Sequence, residues 1–175
     1  MSPWLYAFLF AAAGLLAAAA GFWLFGPERV WNLFGPADLG PVTFETLERR
    51  TTRTDALACP PSLCPAPADI VPPVFPVDVT ALRKAFARAM ATERRLTLVG
   101  IDDRTPADRY VQRSERMRFP DTIVVRYLRL GDNRSTLAIY SRSQLGRYDL
   151  GVNLARIERW LDKLRQEVRV RKPAA

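Results

Sequence analysis

Residues 120–143 read PDTIVVRYLRLGDNRSTLAIYSRS, and this stretch decides the fold. The β-branched and aromatic residues of Thr122–Leu130 predict a strand with one apolar face. Gly131-Asp132-Asn133 predicts a hairpin turn, and Ser135–Ser143 predicts the strand that returns. Strands joined by so short a turn pair antiparallel, so the stretch predicts the centre of an antiparallel sheet.

Further periodic segments flank this hairpin on both sides. They predict a helix over Val79–Thr92, strands over Leu96–Ile101 and Arg109–Phe119, and a last helix over Val152–Val168. The order helix, four strands, helix predicts an α+β fold in which two helices flank a four-stranded antiparallel meander. We assign this domain to residues 78–170.

The chain begins with an uncharged stretch that ends before Glu28. Trp4–Phe25 is almost entirely apolar and is long enough, at about 1.5 Å per residue, to cross a bilayer of roughly 30 Å. A cleaved signal peptide would have a basic start and a small-residue cleavage site, and a core helix would have a polar face. Residues 1–27 are therefore predicted to be an uncleaved, single-pass transmembrane anchor in the inner membrane.

Residues 28–77 are predicted to form a Gly/Pro-rich connector and an extended arm that contains the two cysteines. Cys59 and Cys64 fit a structural disulfide, two free thiols or a redox pair, and a disulfide would place the domain on the periplasmic side. They cannot complete a zinc site, because the chain has no histidine and no further cysteine.

The missing histidine also excludes Ser-His-Asp and Cys-His catalysis. No Gly-rich phosphate loop is present, and the pair Asp102-Asp103 is typical of a solvated turn. We therefore predict no enzyme activity, no cofactor and no metal. The net charge of +8 suits an anionic partner. For an anchored domain, lipid head groups are favoured over nucleic acid.

Arginines on or beside the predicted strands are the candidate ligand contacts. Those chosen for an anionic ligand are Arg113, Arg126, Arg142 and Arg147. The alternative is that the strand arginines form ion pairs on the solvent face of the sheet, with partners such as Asp108, Glu115 and Asp121.

Residues 141–153, SRSQLGRYDLGVN, join the last strand to the last helix. Gly146 and Gly151 suit a turn with positive φ, and Asp149 or Asn153 suits the cap of the helix. The helix N-terminus could bind an external anion, but we favour an internal contact in which Arg142 or Arg156 holds Asp149.

The segments FGPADLGPVTFETLERR, RFPDTIVVRY and TLAIYSRSQLGRYDLGVNLARIERWL resemble the bacterial family of domains of unknown function numbered 1499. The similarity covers about Phe34–Leu164 and is most specific over Ser141–Arg156. In that run Gly146, Asp149, Gly151, Asn153 and Arg156 follow the family pattern. The resemblance implies an anchored or exported domain. It implies no particular activity, because the family has no established one.

These observations predict a membrane-anchored, periplasm-facing domain that binds an anionic or amphipathic ligand such as a lipid. The alternative is a structural or assembly protein of the cell envelope that contacts another protein. A third hypothesis, redox or enzymatic chemistry at Cys59 and Cys64, rests on the cysteine pair alone.

Overall fold

The computed structural model describes residues 2–52 and 54–171, so Met1 of the predicted anchor lies outside the described residues. The helices are α1 (Pro3–Phe25), α2 (Pro27–Asn32), α3 (Val79–Met90) and α4 (Val152–Arg171), with a short 3₁₀ turn at Phe44–Thr46. The strands are β1 (Asp55–Ala58), β2 (Leu96–Asp102), β3 (Ala107–Arg113), β4 (Pro120–Gly131) and β5 (Arg134–Ser143).

The strands form one antiparallel sheet in the order β1-β5-β4-β3-β2. The predicted α+β class and the meander are therefore confirmed, but the predicted strand number of four is wrong. The fifth strand, β1, lies in the segment predicted to be an extended arm, and it pairs with β5 along the edge of the sheet. Four residues bounded by a proline-rich run are too few to show the alternation that identifies a strand.

Helix α1 contains no charged residue, and its side chains are exposed rather than packed in the core of this chain. Within the described residues it is the one helix long and apolar enough to cross a membrane. Its length of roughly 35 Å, from about 1.5 Å per residue, exceeds the hydrocarbon thickness of a bilayer. The predicted anchor is thus confirmed as a candidate span. The division of the remaining chain at residue 77 stays a prediction.

Helices α3 and α4 cover one face of the sheet, which we call the helix face. The Phe86 ring of α3 lies 5.8 Å from Trp160 of α4 and 5.9 Å from Tyr127 of β4. All three aromatic side chains are buried, together with the inward-facing aliphatic residues of β4 and β5. The apolar periodicity of both helices has therefore produced the main core.

The opposite face, which we call the connector face, is covered by irregular chain. Phe44 and Leu47 pack there with the disulfide between Cys59 and Cys64. The predicted disulfide is thus present, and the alternative of two free thiols is wrong. This smaller core lies on side chains of β1, β4 and β5, so the connector is part of the folded domain.

Candidate ligand-binding site

Two of the four arginines chosen for ligand binding lie on the connector face and contact the connector. Arg126 Nη1 donates a hydrogen bond to Glu45 Oε1 over 2.6 Å. Arg142 Nη2 donates to the carbonyl oxygens of Leu39 and Gly40, each at 2.8 Å, and burial lowers the pKa of its guanidinium. Both guanidinium groups therefore donate hydrogen bonds to acceptors within the chain.

A third strand arginine completes this set of contacts. Arg109 Nε donates to both carboxylate oxygens of Asp38, at 2.8 and 2.9 Å. Its guanidinium lies against Gly100 of β2, where a Cβ atom would approach the guanidinium carbon to 2.9 Å. We call Arg109, Arg126 and Arg142 the connector arginines. The alternative of ion pairs between strands on a solvent face is therefore wrong for these three arginines, because their partners lie on the connector that covers this face.

The other two predicted arginines are not among the connector arginines, and Arg113 lies beside α2. Arg113 Nε is 3.4 Å from Glu28 Oε2, and its Nη1 donates to the carbonyl oxygen of Arg118 at 3.3 Å. Arg147 is exposed in the loop before α4. The four predicted arginines therefore contact different partners and do not form one site.

Asp149 caps helix α4, as the sequence predicted. Its Oδ1 accepts a hydrogen bond from Gly151 N at 2.9 Å, and its Oδ2 accepts from Asn153 N at 3.1 Å. Gly146 and Gly151 have φ of 95° and 76°, which confirms the turn. Asp149 thus provides the acceptor for free N–H groups at the start of the helix.

The predicted contact between Asp149 and an arginine is wrong. Arg156 Nη2 pairs with Asp121 Oδ2 at 2.5 Å, and its Nε donates to Gln112 Oε1 at 2.6 Å. Arg142 contacts the connector instead. Since Asp149 already accepts from main-chain N–H groups and from the Asn153 amide, its oxygens are used within the cap.

Arg156 is the centre of a buried polar cluster. Its Nη1 donates to Ser141 Oγ at 2.8 Å and to Asn153 Oδ1 at 2.6 Å, and Asn153 Nδ2 donates to Ser143 Oγ at 3.0 Å. The Arg156 and Asp121 side chains are only 5% and 9% exposed. A buried ion pair is tolerated when hydrogen bonds satisfy its remaining donors, so this cluster forms a rigid floor.

An apolar cleft of about 370 Å³ opens above this floor. Its walls come from the β3–β4 loop and the loop before α4, and its polar base includes Asp121 and Ser143. The apolar wall residues are Phe119, Leu145, Tyr148, Leu150 and Val152. The predicted Arg147 lies in the same loop, between wall residues.

A basic cleft of about 500 Å³ adjoins the apolar cleft, and Ser114 and Val152 line both. Its cationic residues are Arg94, Arg95, Arg113, Arg156, Arg159 and Lys163. Its carboxylates are Glu93 and Glu115. The cations outnumber the carboxylates, so the cleft suits an anionic group.

Glu93 organises the wall of the basic cleft. Burial raises its pKa, but hydrogen bonds from Lys163, Arg159 and Gln112 outweigh burial and lower the pKa to about 2. The Lys163 Nζ to Glu93 Oε1 distance is 2.6 Å. Arg95 Nη1 is buried without a hydrogen bond and lies 3.5 Å from Glu115 Oε1. The cleft therefore keeps an arginine donor that no hydrogen bond satisfies.

Both clefts lie at the end of the sheet that contacts the segment after α1. Trp31 Nε1 donates to the carbonyl oxygen of Met117, and the Trp31 and Phe119 rings are 4.5 Å apart. Glu28 pairs with Arg113 of the basic cleft. Because α2 follows α1 directly, the clefts lie next to the carboxyl end of α1.

Leu150 combines two unfavourable properties in the wall of the apolar cleft. Its φ is 56°, a conformation that costs an L-residue about 1–2 kcal/mol, and its side chain is 82% exposed. Sequence reasoning placed this position in a turn and gave it no role. A large apolar residue between polar turn residues was the signal that could have identified it.

The protein is an α+β domain with a candidate membrane span. This class follows from the antiparallel sheet, the helices on one of its faces and the apolar N-terminal helix. A family model described as "Protein of unknown function (DUF1499)" matches residues 54–164. The match covers more than half of the chain, from just before β1 into α4, and the chain belongs to this family. The resemblance found in the sequence is confirmed. No curated protein matches the chain.

Proposed function

We propose that this chain is a membrane-anchored, periplasm-facing domain that binds an amphipathic ligand with an anionic head, such as a lipid. The observation that carries the proposal is the basic cleft adjoining the apolar cleft, with Ser114 and Val152 common to both. A ligand across this boundary would place its charged and apolar parts in matching surroundings. The proposal assigns no catalysis to the chain.

The basic cleft supports recognition of the head group. Arg94 and Arg95 share Glu115 as an ion-pair partner, at 3.3 and 3.5 Å, and the Arg94 side chain is 75% exposed, so a ligand can reach its guanidinium. The planar guanidinium matches phosphate and carboxylate oxygens. Glu93 is occupied by Arg159 and Lys163, so it holds these two cations beside the cleft.

The apolar cleft supports binding of the apolar part. Its volume of about 370 Å³ lies near the lower end of the range for small-molecule pockets, roughly 300–1,000 Å³. The rigid Arg156–Asp121 floor limits the depth of the cleft, while the loop of Leu145 and Tyr148 supplies its outer wall. This arrangement suits part of an acyl chain.

The proposed location rests on α1 and the disulfide. One apolar helix of sufficient length supports a single-pass anchor in the inner membrane. The disulfide between Cys59 and Cys64 supports an oxidising compartment, because disulfides persist outside the cytosol. Together they favour the periplasmic side.

The full chain, purified from bacterial membranes in mild detergent, would be analysed by native mass spectrometry with organic extraction of bound material. We expect an added mass that extracts as an anionic lipid. Arg94→Glu and Arg147→Glu should reduce its occupancy, whereas Arg129→Glu should not. Arg129 is exposed near the far end of β4, so this control makes the same charge change away from the clefts. Equal occupancy in all three variants would refute the assignment of the clefts.

The alternative, a structural protein of the cell envelope, is favoured by the free edge of the sheet. Strand β2 lies at this edge and exposes Leu98 (47%) and Ile101 (60%). An exposed edge strand can pair with a strand of another protein. A chain free of bound lipid, with one protein reproducibly crosslinked to β2 in membranes, would favour this function.

A further inference from the structure

We infer that the loops of residues 114–119 and 144–152 form a face that rests on the lipid bilayer. We call this face the bilayer rim. The inference rests on α1 crossing the membrane, as in the proposed function, but it does not require a ligand in either cleft. Its occupant is the bilayer surface itself.

The position of the rim follows from its contacts with the chain that leaves α1. Trp31 is separated from the last residue of α1 by only five residues, and it contacts Met117 and Phe119 of the first loop. Gln144 Nε2, which begins the second loop, donates to the carbonyl oxygens of Gly35 and Pro36. Both loops are thus held beside the point where α1 ends.

The rim differs in composition from the turns at the opposite end of the sheet. Exposed apolar side chains on or beside it are Leu33, Phe34, Met117, Phe119, Tyr148, Leu150 and Val152. The opposite turns contain Asp103-Arg104-Thr105 and Asp132-Asn133, which are polar. The strands beside these turns expose Ile101 and Leu130, but the exposed aromatic side chains of the described residues outside α1, Phe34, Phe119 and Tyr148, all lie at the rim. Aromatic and aliphatic side chains grouped in this way are typical of a surface that contacts lipid.

The charges of the rim agree with a bilayer that contains anionic lipids. The basic side chains are Arg29, Arg116, Arg118 and Arg147. Of the acidic residues there, Glu28 pairs with Arg113, Glu115 pairs with Arg94 and Arg95, and Asp149 caps α4. Arginines beside aromatic and aliphatic residues bind head groups while the apolar side chains enter the interface.

Leu150 gives the most direct indication of lipid contact. Its backbone has a positive φ, and its large apolar side chain is 82% exposed. In water, Leu150 has both an unfavourable backbone conformation and an apolar side chain exposed to solvent. Insertion in a bilayer would remove the side chain from water. A protein partner could also cover Leu150, but the proximity of α1 favours lipid.

The test uses the full chain in vesicles of phosphatidylcholine and phosphatidylglycerol. Leu150→Cys, Met117→Cys and Asp132→Cys each supply one free thiol for an environment-sensitive fluorophore, because Cys59 and Cys64 are joined. We expect blue-shifted emission at positions 150 and 117 and loss of emission when spin-labelled lipid is added. The Asp132→Cys label, at the opposite turn, should keep its emission in both cases. Met117→Cys provides the test if Leu150→Cys fails to fold.

Two results would overturn the inference. One is emission from positions 150 and 117 that is no more blue-shifted than emission from position 132, which would mean that water surrounds the rim. The other is a blue shift at positions 150 and 117 that spin-labelled lipid does not quench, which would mean that protein covers the rim. Because the labelled chain needs no ligand, either result leaves the lipid-extraction test of the proposed function independent.

Discussion

The helix face and the connector face of the same sheet are covered in different ways. On the helix face, α3 and α4 satisfy their own backbone groups and contribute mainly apolar side chains such as Phe86 and Trp160. On the connector face, irregular chain brings backbone carbonyl groups that no helix or strand satisfies. Side chains of the sheet satisfy several of them, including Arg142 at Leu39 and Gly40.

This difference explains why the connector face is rich in polar side chains although it is covered. A buried carbonyl group without a hydrogen-bond donor is costly. Irregular chain that covers a sheet therefore needs donors from the side chains of the sheet beneath it. Gln144 donates to Gly35 and Pro36, and Thr122 Oγ1 donates to the carbonyl oxygen of Ala37. Polar residues on a strand therefore do not by themselves indicate a surface in contact with solvent.

The largest effect should come from the Arg156–Asp121 ion pair on the helix face, in which both side chains are buried. Arg156→Ala should lower the free energy of unfolding by about 3–5 kcal/mol, because it leaves Asp121 buried without its cation. Urea denaturation measures this loss. Arg159→Ala is the control: its side chain is 48% exposed, so it should cost about 1 kcal/mol or less. Similar losses in both variants would contradict a buried role for Arg156.

On the connector face, Arg142→Ala should cost about 2–3 kcal/mol and act locally, because it removes the donor to two connector carbonyls. Hydrogen exchange should speed up in residues 37–47 while α3 and α4 remain protected. Arg129→Ala, an exposed arginine of β4, should leave both regions unchanged. Equal loss of protection in the helices would show that the two faces unfold as one unit.

Removing the disulfide tests the connector face in a second way. Cys59→Ala with Cys64→Ala should cost about 2 kcal/mol, because the disulfide closes a short loop and restricts the unfolded chain. Thermal unfolding of this double variant measures the loss, and reductant should bring the unaltered chain close to the same midpoint. A variant as stable as the unaltered chain would mean that packing alone holds this face.

A pH-dependent effect should come from Glu93. Its folded pKa of about 2 lies below the ordinary 4.5, so its stabilisation is complete above pH 4.5 and is lost as pH falls toward 2. The stability difference between the unaltered chain and Glu93→Gln should therefore shrink over this range. Denaturation at several pH values measures it.

Glu45→Gln provides the matched comparison on the connector face. A hydrogen bond from its own backbone N–H and one from Arg126 lower the pKa of Glu45, but its side chain is nearly half exposed. Its acid dependence should be weaker than that of Glu93. The reverse order would contradict the closer packing assigned to Glu93.

Sequence patterns predicted the helix face well, since α3, α4, β4 and β5 have regular apolar periodicity, but they extended the weakly alternating β3 to Phe119, whereas it ends at Arg113. They missed β1 because it is short, and they missed the cover on the connector face because its chain is irregular. Of the candidate ligand residues, Arg113 lines the basic cleft and Arg147 lies in the loop beside the apolar cleft, while Arg126 and Arg142 hold the connector. A guanidinium suits a carbonyl, a carboxylate and a phosphate alike, so sequence alone cannot choose among them.

The packed connector also controls how far the domain can move from its anchor. A flexible linker as long as residues 26–47 would let its far end wander by about 25 Å. Here part of this segment forms α2, and Asp38, Leu39 and Glu45 contact the sheet, so the segment does not act as a flexible linker. In the proposed orientation the domain diffuses laterally with α1 as one body at a constant height. A lipid of the kind proposed would then reach the clefts along the membrane plane, because the domain would stay close to the bilayer.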